Sequence, residues 1–188
     1  MKFDKLTSDS VVSLSAIVVS VASLFTVVYQ TYLTRQAQHA SVLPYLYFSL
    51  SANEEGVAVR LTNSGIGPAV IDDVRIHYQG REVAADPYDF YLSVDPEAGK
   101  LALGVDKVQP GRLIPAGATI QMLAARAVDS ERMLSEFLRL FEIAEVPQSW
   151  YVNAGASGKE KAVVQITFSS VYGDRWRIRS DRIVPERL

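Results

Sequence analysis

The sequence predicts a mainly β protein: an N-terminal transmembrane helix, then an immunoglobulin-like antiparallel β-sandwich with one inserted amphipathic helix. Three observations predict it. Residues 10–34 contain no charge and are rich in Val, Ile, Leu and Phe. From residue 45 onward, apolar residues alternate with polar ones in several short runs separated by turn residues. One later segment switches to the 3.6-residue period of a helix. The expected organisation is a tail (1–10), a membrane helix (11–33), a polar connector (34–41) and a β domain (42–188). Insertions at 80–118 and 129–147 interrupt that domain.

Residues 11–33 would span ~35 Å as a helix, enough for a ~30 Å hydrocarbon core with some tilt. Only a helix satisfies its own backbone in lipid, so the Val content does not argue for a strand. Tyr29 and Tyr32 followed by Arg35 place rings at the headgroups and a cation in water. A cleaved signal peptide is the rival, but its apolar core is usually shorter, ~7–15 residues, and ends in an A-x-A-like site. The small pair Ala37 and Ala40 has the wrong spacing for one. Lys2 and Lys5 precede the helix, and only Arg35 follows it before Arg60. The positive-inside rule then puts the domain outside the cytoplasm of a bacterial inner membrane, crossed once. Ser13, Ala16, Ser20 and Ser23 form a stripe of small residues down one side. Such a stripe suits helix packing; alternatively the serines bond their own i−4 carbonyls in a helix alone in lipid.

Residues 45–50 and 56–61 read as a hairpin around Asn53-Glu54-Glu55-Gly56. In the third strand, 70–78, Val74, Ile76 and Tyr78 alternate with Asp73, Arg75 and His77, giving a buried and a wet face. Residues 119–125 suggest a fourth strand. Residues 161–171 and 175–183 form a last hairpin around Tyr172-Gly173-Asp174. Together these predict six or seven strands. The 80–118 insertion holds four prolines and is too broken for long elements, with a helical turn expected near Tyr88-Asp89-Phe90-Tyr91. The second insertion predicts a helix over 130–145, with Leu134, Phe137, Leu138 and Phe141 as its stripe. Asp129 or Ser130 would cap it, and Pro147 lies past its end. Its mixed-charge polar face suits packing on the sheet or a partner protein better than an anionic membrane.

Lys and Arg number 19 against 21 Asp and Glu, a net charge of −2 that excludes a globally basic nucleic-acid binder. With no cysteine there is no disulfide, thiolate catalyst or Cys-ligated metal. Two distant histidines leave little for a His-rich metal site. The glycine-rich segment Asn63-Ser64-Gly65-Ile66-Gly67-Pro68-Ala69 leads into a strand rather than a helix N-terminus. It is therefore a structural turn built by Asn63, Gly65, Gly67 and Pro68, not a phosphate loop. Gly155-Ala156-Ser157-Gly158-Lys159 fails the phosphate-loop pattern twice, at Asn153 and Glu160. His77 falls on a polar strand face, and strand alternation sends Asp72 and Asp73 to opposite faces. No catalytic motif is present, so no enzyme activity and no cofactor or metal are expected.

Arg175, Arg177 and Arg179 share one parity of the last strand, with Trp176 and Ile178 on the other. They mark either a charge-protected edge strand or a stripe facing lipid phosphates or an acidic partner. The first function this supports is a non-catalytic, membrane-anchored accessory or scaffolding subunit that recognises another membrane protein or a second copy of itself. The alternative is a membrane-tethered ligand-binding or sensing domain. Its pocket would lie between Tyr88, Phe90 and Tyr91 of the first insertion and Trp150-Tyr151.

Three segments carry a resemblance: Ser41-Val42-Leu43-Pro44-Tyr45-Leu46, the Asn63 to Ile71 glycine loop, and Ser169-Ser170-Val171-Tyr172-Gly173-Asp174-Arg175-Trp176. With the anchor, they resemble a group of functionally uncharacterised bacterial proteins with one N-terminal membrane helix and a small β-sandwich domain. The resemblance covers the anchor and most strands but not the insertions. It implies that fold, and no activity. Such proteins often carry several arginines between anchor and domain, which places the domain in the cytoplasm; here only Arg35 is present.

Overall fold

The computed structural model describes residues 8–54, 56–99, 106–126, 130–156 and 160–188. Two compact units result, residues 1–41 and 42–188. The first is one helix, α1 (Ser8–Ala40). Within it, residues 9–39 are long and apolar enough to cross a membrane, and none of that apolar window is buried. The expected connector is not a separate element, because the helix continues through it to Ala40. Arg35, Gln36, Ala37 and Gln38 are good helix formers, and Ser41 N–H closes the last turn on Ala37 O at 2.9 Å.

Among its described residues, the second unit holds nine strands in two antiparallel sheets. Strands β1 (Leu46–Asn53), β2 (Gly56–Asn63) and β6 (Thr119–Arg126) make the first, in the order β1-β2-β6. The second contains β3 (Ala69–Tyr78), β4 (Arg81–Val83), β7 (Val163–Ser169), β8 (Arg175–Arg179) and β9 (Glu186–Arg187). Its order is β4-β3-β7-β8-β9, and β5 (Leu113–Ile114) pairs with β3 off that path. Both expected hairpins are present, with Asn53 opposite Gly56 and Ser169 opposite Arg175. Glu55 lies outside the described residues. The extra strands β4, β5 and β9 are two or three residues long, too short for a visible period.

The inner faces of both sheets share one core. Leu46, Phe48, Val59 and Leu61 of the first meet Val74, Ile76, Ile166, Phe168 and Ile178 of the second. The predicted inserted helix is present as α4 (Ser130–Leu140), five residues shorter than its period suggested. Phe141 leaves the helix to bridge with Ala162, and Ala144 N–H bonds to Ser180 O at 2.7 Å. The sheet edge outcompetes one more helical turn. Met133, Phe137 and Leu138 are buried in the shared core, so α4 uses its apolar face inside the domain. Of the two capping candidates, Asp129 lies outside the described residues. Helix α5 (Gln148–Asn153) follows, unforeseen because six residues show less than two turns of period.

The first insertion contains α2 (Pro87–Val94), where a helical turn was expected, and the one-turn α3 (Pro96–Gly99). Proline at the first position of α2 loses no hydrogen bond there, and the Asp86 carboxylate accepts from Tyr88 N–H and Asp89 N–H.

Two buried phenols make a prediction. Burial pushes the Tyr91 and Tyr151 hydroxyls above the usual tyrosine range. The native state therefore holds their protons after the unfolded chain has released them. This contribution is complete below pH ~10 and fades as pH rises through the raised values. The melting temperature should fall above pH ~10, and Tyr91→Phe should lessen the fall. An unchanged pH profile in Tyr91→Phe would contradict it.

Candidate functional site

The glycine loop forms a clasp. The Asn63 side chain is fully buried. Its amide nitrogen donates to Gly67 O (2.9 Å), Ile114 O (3.0 Å) and Pro115 O (3.2 Å). Its carbonyl oxygen accepts from Tyr45 N–H (3.2 Å) and Gly65 N–H (3.1 Å). Leu43 O accepts from the N–H groups of Ile66 and Gly67. One side chain thus joins the entry to β1, the β2–β3 loop and the end of β5. Gly65 and Gly67 do not have positive φ. They are glycine because the chain after α1 crosses them. A Cβ on Gly67 would lie 2.0 Å from Val42 O, and one on Gly65 2.4 Å from Leu43 O. Pro68 then leads into β3. The turn is structural, as expected.

Strand β8 is not an edge, because the C-terminal β9 folds back beside Trp176 and Arg177. Trp176 and Ile178 are buried in the core, as the parity required. Two of the three arginines are occupied. Arg175 pairs with Asp72 at 3.2 Å, and Arg179 with Asp181 at 2.8 Å. Arg177 has a buried Nε without a partner. The stripe is therefore largely neutralised.

Asp72 and Asp73 do not point to opposite faces. A register shift between Ile71 and Asp73 makes Asp72 an extra residue opposite β7. Ile71 and Val74 are both buried, and both carboxylates come out on the other side. Asp72 accepts from Ser169 and Arg175, and Asp73 accepts from Arg75. His77 approaches Gln165 at 3.3 Å on the same face. Among the described residues, no group of three His, Cys, Asp or Glu converges to hold a metal ion.

The five aromatic residues expected around a pocket mostly build the core instead. Phe90 meets Tyr78 and Phe141 edge-on, at centroid distances of 5.7 and 6.1 Å. Tyr88 and Trp150 pack partly buried against the cluster. Tyr151 is buried, and its hydroxyl both accepts from Ile143 N–H and donates to Ile143 O. Tyr91 reaches a cleft. That cleft, about 430 Å³, has Tyr78, Tyr91 and Leu140 in its wall, and Asp95, Glu136, Arg139 and Glu160 also line it. Gln79 also lines it, in the left-handed region at φ 51°, in the two-residue turn that Gly80 completes. No local sequence pattern reveals this cleft, because β3, α2 and α4 supply it together. Of the failed phosphate-loop segment, Ser157, Gly158 and Lys159 lie outside the described residues.

On α1, the Ser20 hydroxyl donates to Ala16 O at 2.8 Å. Each of the four small residues is exposed along the helix. The Ser20 hydroxyl, bonded to its own backbone, is not free to bond across to another helix. If it packs on another helix, Ser20→Ile should weaken association by about tenfold, and Val18→Ile should not. Equal behaviour of the two in a membrane two-hybrid assay would make the stripe mere composition.

No family model matches the chain, and no curated protein or solved structure matches it either.

Proposed function

We propose that this chain is a non-catalytic, membrane-anchored accessory or scaffolding subunit whose β domain recognises another protein. One observation carries the proposal: the chain joins a helix fit to span a membrane to a β domain whose ionisable groups serve structure. Several of its carboxylates are engaged with arginines and lysines, as at Asp72, Asp73, Asp89 and Asp181. Its buried phenols bond within the core. The excess of lysine before α1 supports a domain outside the cytoplasm of a bacterial inner membrane. A signal sequence is the competing account of α1, since it would have the same composition. The sheet orders support the immunoglobulin-like assignment. β1, β2 and β6 correspond to strands A, B and E of that arrangement, and β3, β7 and β8 to C, F and G. The resemblance to anchored bacterial proteins supports the same fold.

Gentle detergent extraction of the full chain, with mass spectrometry of what stays bound, tests the proposal. A stoichiometric protein companion is the expected result. A second reading, a membrane-tethered ligand sensor, draws on the cleft beside Tyr78 and Tyr91. A lone monomer carrying a small molecule would favour it and overturn the first.

A further inference from the structure

We infer that the β domain rests one end on the bilayer, the end at which its chain begins, and sets Leu43, Ile66, Leu113, Val171 and Tyr172 into the headgroup boundary. This rests on α1 as a membrane span, needs no protein partner, and adds a lipid contact to the accessory reading. Strand pairing brings the five side chains to one end from four separate segments. Leu46, where β1 begins, lies opposite Asn63, where β2 ends, so Leu43 and Ile66 lie beyond the same end of that sheet. Val70, near the start of β3, pairs with both Leu113 and Ser169. Ser169 in turn opposes Arg175, which leaves Val171 and Tyr172 in the turn beyond. The Asn63 side chain ties this end of the two sheets together through Tyr45, Gly67 and Ile114. Each of the five side chains is between 45 and 67% exposed.

The segments that build this end, 42–45, 64–68, 109–117 and 170–174, contain two charged residues, Arg112 and Asp174. Both pair within the domain, Arg112 with Asp106 at 3.4 Å and Asp174 with Arg187 at 2.8 Å. The opposite end is built differently. Its turns carry Glu54, Arg81, Asp181 and Arg182, and the exposed Ile183 and Val184 follow the last two directly. The backbone of the apolar tips is also prepared to leave water. Ile66 N–H and Gly67 N–H both donate to Leu43 O, Tyr172 N–H donates to Ser170 Oγ at 3.2 Å, and Gly173 N–H donates to Ser170 O at 3.0 Å. Donors that are already bonded lose little on entering a less polar layer. Tyr172 adds a ring with a polar tip, the kind of side chain that membrane interfaces favour.

The tether selects the bilayer as the occupant. The uncharged run ends at Thr34, and α1 continues to Ala40. Residues 35–40 of that helix rise ~9 Å, and headgroups fill the first ~5–8 Å outside the hydrocarbon. Ser41 alone separates Ala40 from Val42, where the β domain begins. That end of the domain is therefore held at the headgroup boundary, and tilt of α1 brings it closer. A soluble partner can meet any face of the domain, whereas the bilayer meets the tethered one.

The chain has no cysteine, so a single introduced cysteine reports one site. Full-length Ile66→Cys, Val171→Cys and Ile183→Cys, each labelled with the environment-sensitive fluorophore NBD, are reconstituted into phosphatidylcholine vesicles and recovered by flotation. Iodide in the water should quench the labels at residues 66 and 171 at least about fivefold less than the label at residue 183. A nitroxide carried high on the lipid acyl chain should quench only the first two. Because the charges of this end are paired, the difference should persist in high salt and without anionic lipid. Tyr172→Asp, with an unchanged melting temperature, should return the label at residue 66 to iodide, and Tyr172→Phe should not. Equal iodide quenching at all three sites would overturn the inference, as would a difference that requires anionic lipid. The vesicles contain lipid alone, so labels open to water would sink the lipid contact and leave the accessory reading standing. Shielded labels would support the contact even where no protein companion co-purifies. A chain that fails to float with the vesicles would overturn the membrane span and this inference together.

Discussion

Asn63→Ala should destabilise the β domain by about 3–5 kcal/mol, a large part of the ~5–15 kcal/mol that holds a typical domain folded. The substitution removes a fully buried amide and five hydrogen bonds at once. It leaves the N–H groups of Tyr45 and Gly65 and the carbonyls of Gly67 and Ile114 facing a small void, while Pro115 O keeps its bond from Ala118 N–H; each unpaired buried group costs ~1–3 kcal/mol, less whatever an entering water recovers. Asn63→Asp should not rescue the fold. It keeps an acceptor for Tyr45 and Gly65 but sets a carboxylate oxygen against Gly67 O, Ile114 O and Pro115 O. Ser64→Ala next door removes only a long, exposed contact to Tyr45 O and should stay within ~0.5 kcal/mol. Urea unfolding of the three variants, with equal slopes, reads this directly. A loss below ~1 kcal/mol in Asn63→Ala, the size typical of any single substitution, would contradict the clasp.

Gly67→Ala is the second large effect, at about 3 kcal/mol or more. The added Cβ would meet three backbone atoms of Val42, the nearest at 2.0 Å. Backbone cannot rotate away as a side chain can, so either the β2–β3 loop or the chain entering β1 must move. Moving either pulls on the bonds from Ile66 and Gly67 to Leu43 O. Ile66→Ala, which trims an exposed side chain between the two glycines, should be nearly silent. Thermal melts of the pair compare them; similar melting temperatures would contradict the close crossing at residue 67.

Local features of the fold were legible in the sequence, and non-local ones were not. The two hairpins, the apolar stripe of α4 and the turn at Asn63 follow from periods and turn chemistry within a few residues. The direction of Asp72 does not, because the extra residue in β3 appears only in its register with β7. The end of α4 at Leu140 depends on Ala162, over twenty residues on, taking Phe141 as a bridge partner. Gly65 and Gly67 are required by a crossing chain that no local pattern reveals. Aromatic residues were read as pocket walls, yet Phe90, Tyr88, Trp150 and Tyr151 fill the core. The cleft beside Tyr91 is a product of elements brought together from afar.

Anchoring by α1 is the claim on which the rest depends, and carbonate extraction of cell membranes tests it most directly. Membranes from cells making the full chain are washed at high pH, pelleted and analysed by intact mass spectrometry. The account predicts that the β domain stays in the pellet with residues 8–40 still attached. A soluble species that begins after Leu33, released into the wash, would show α1 to be a cleaved signal and would contradict it.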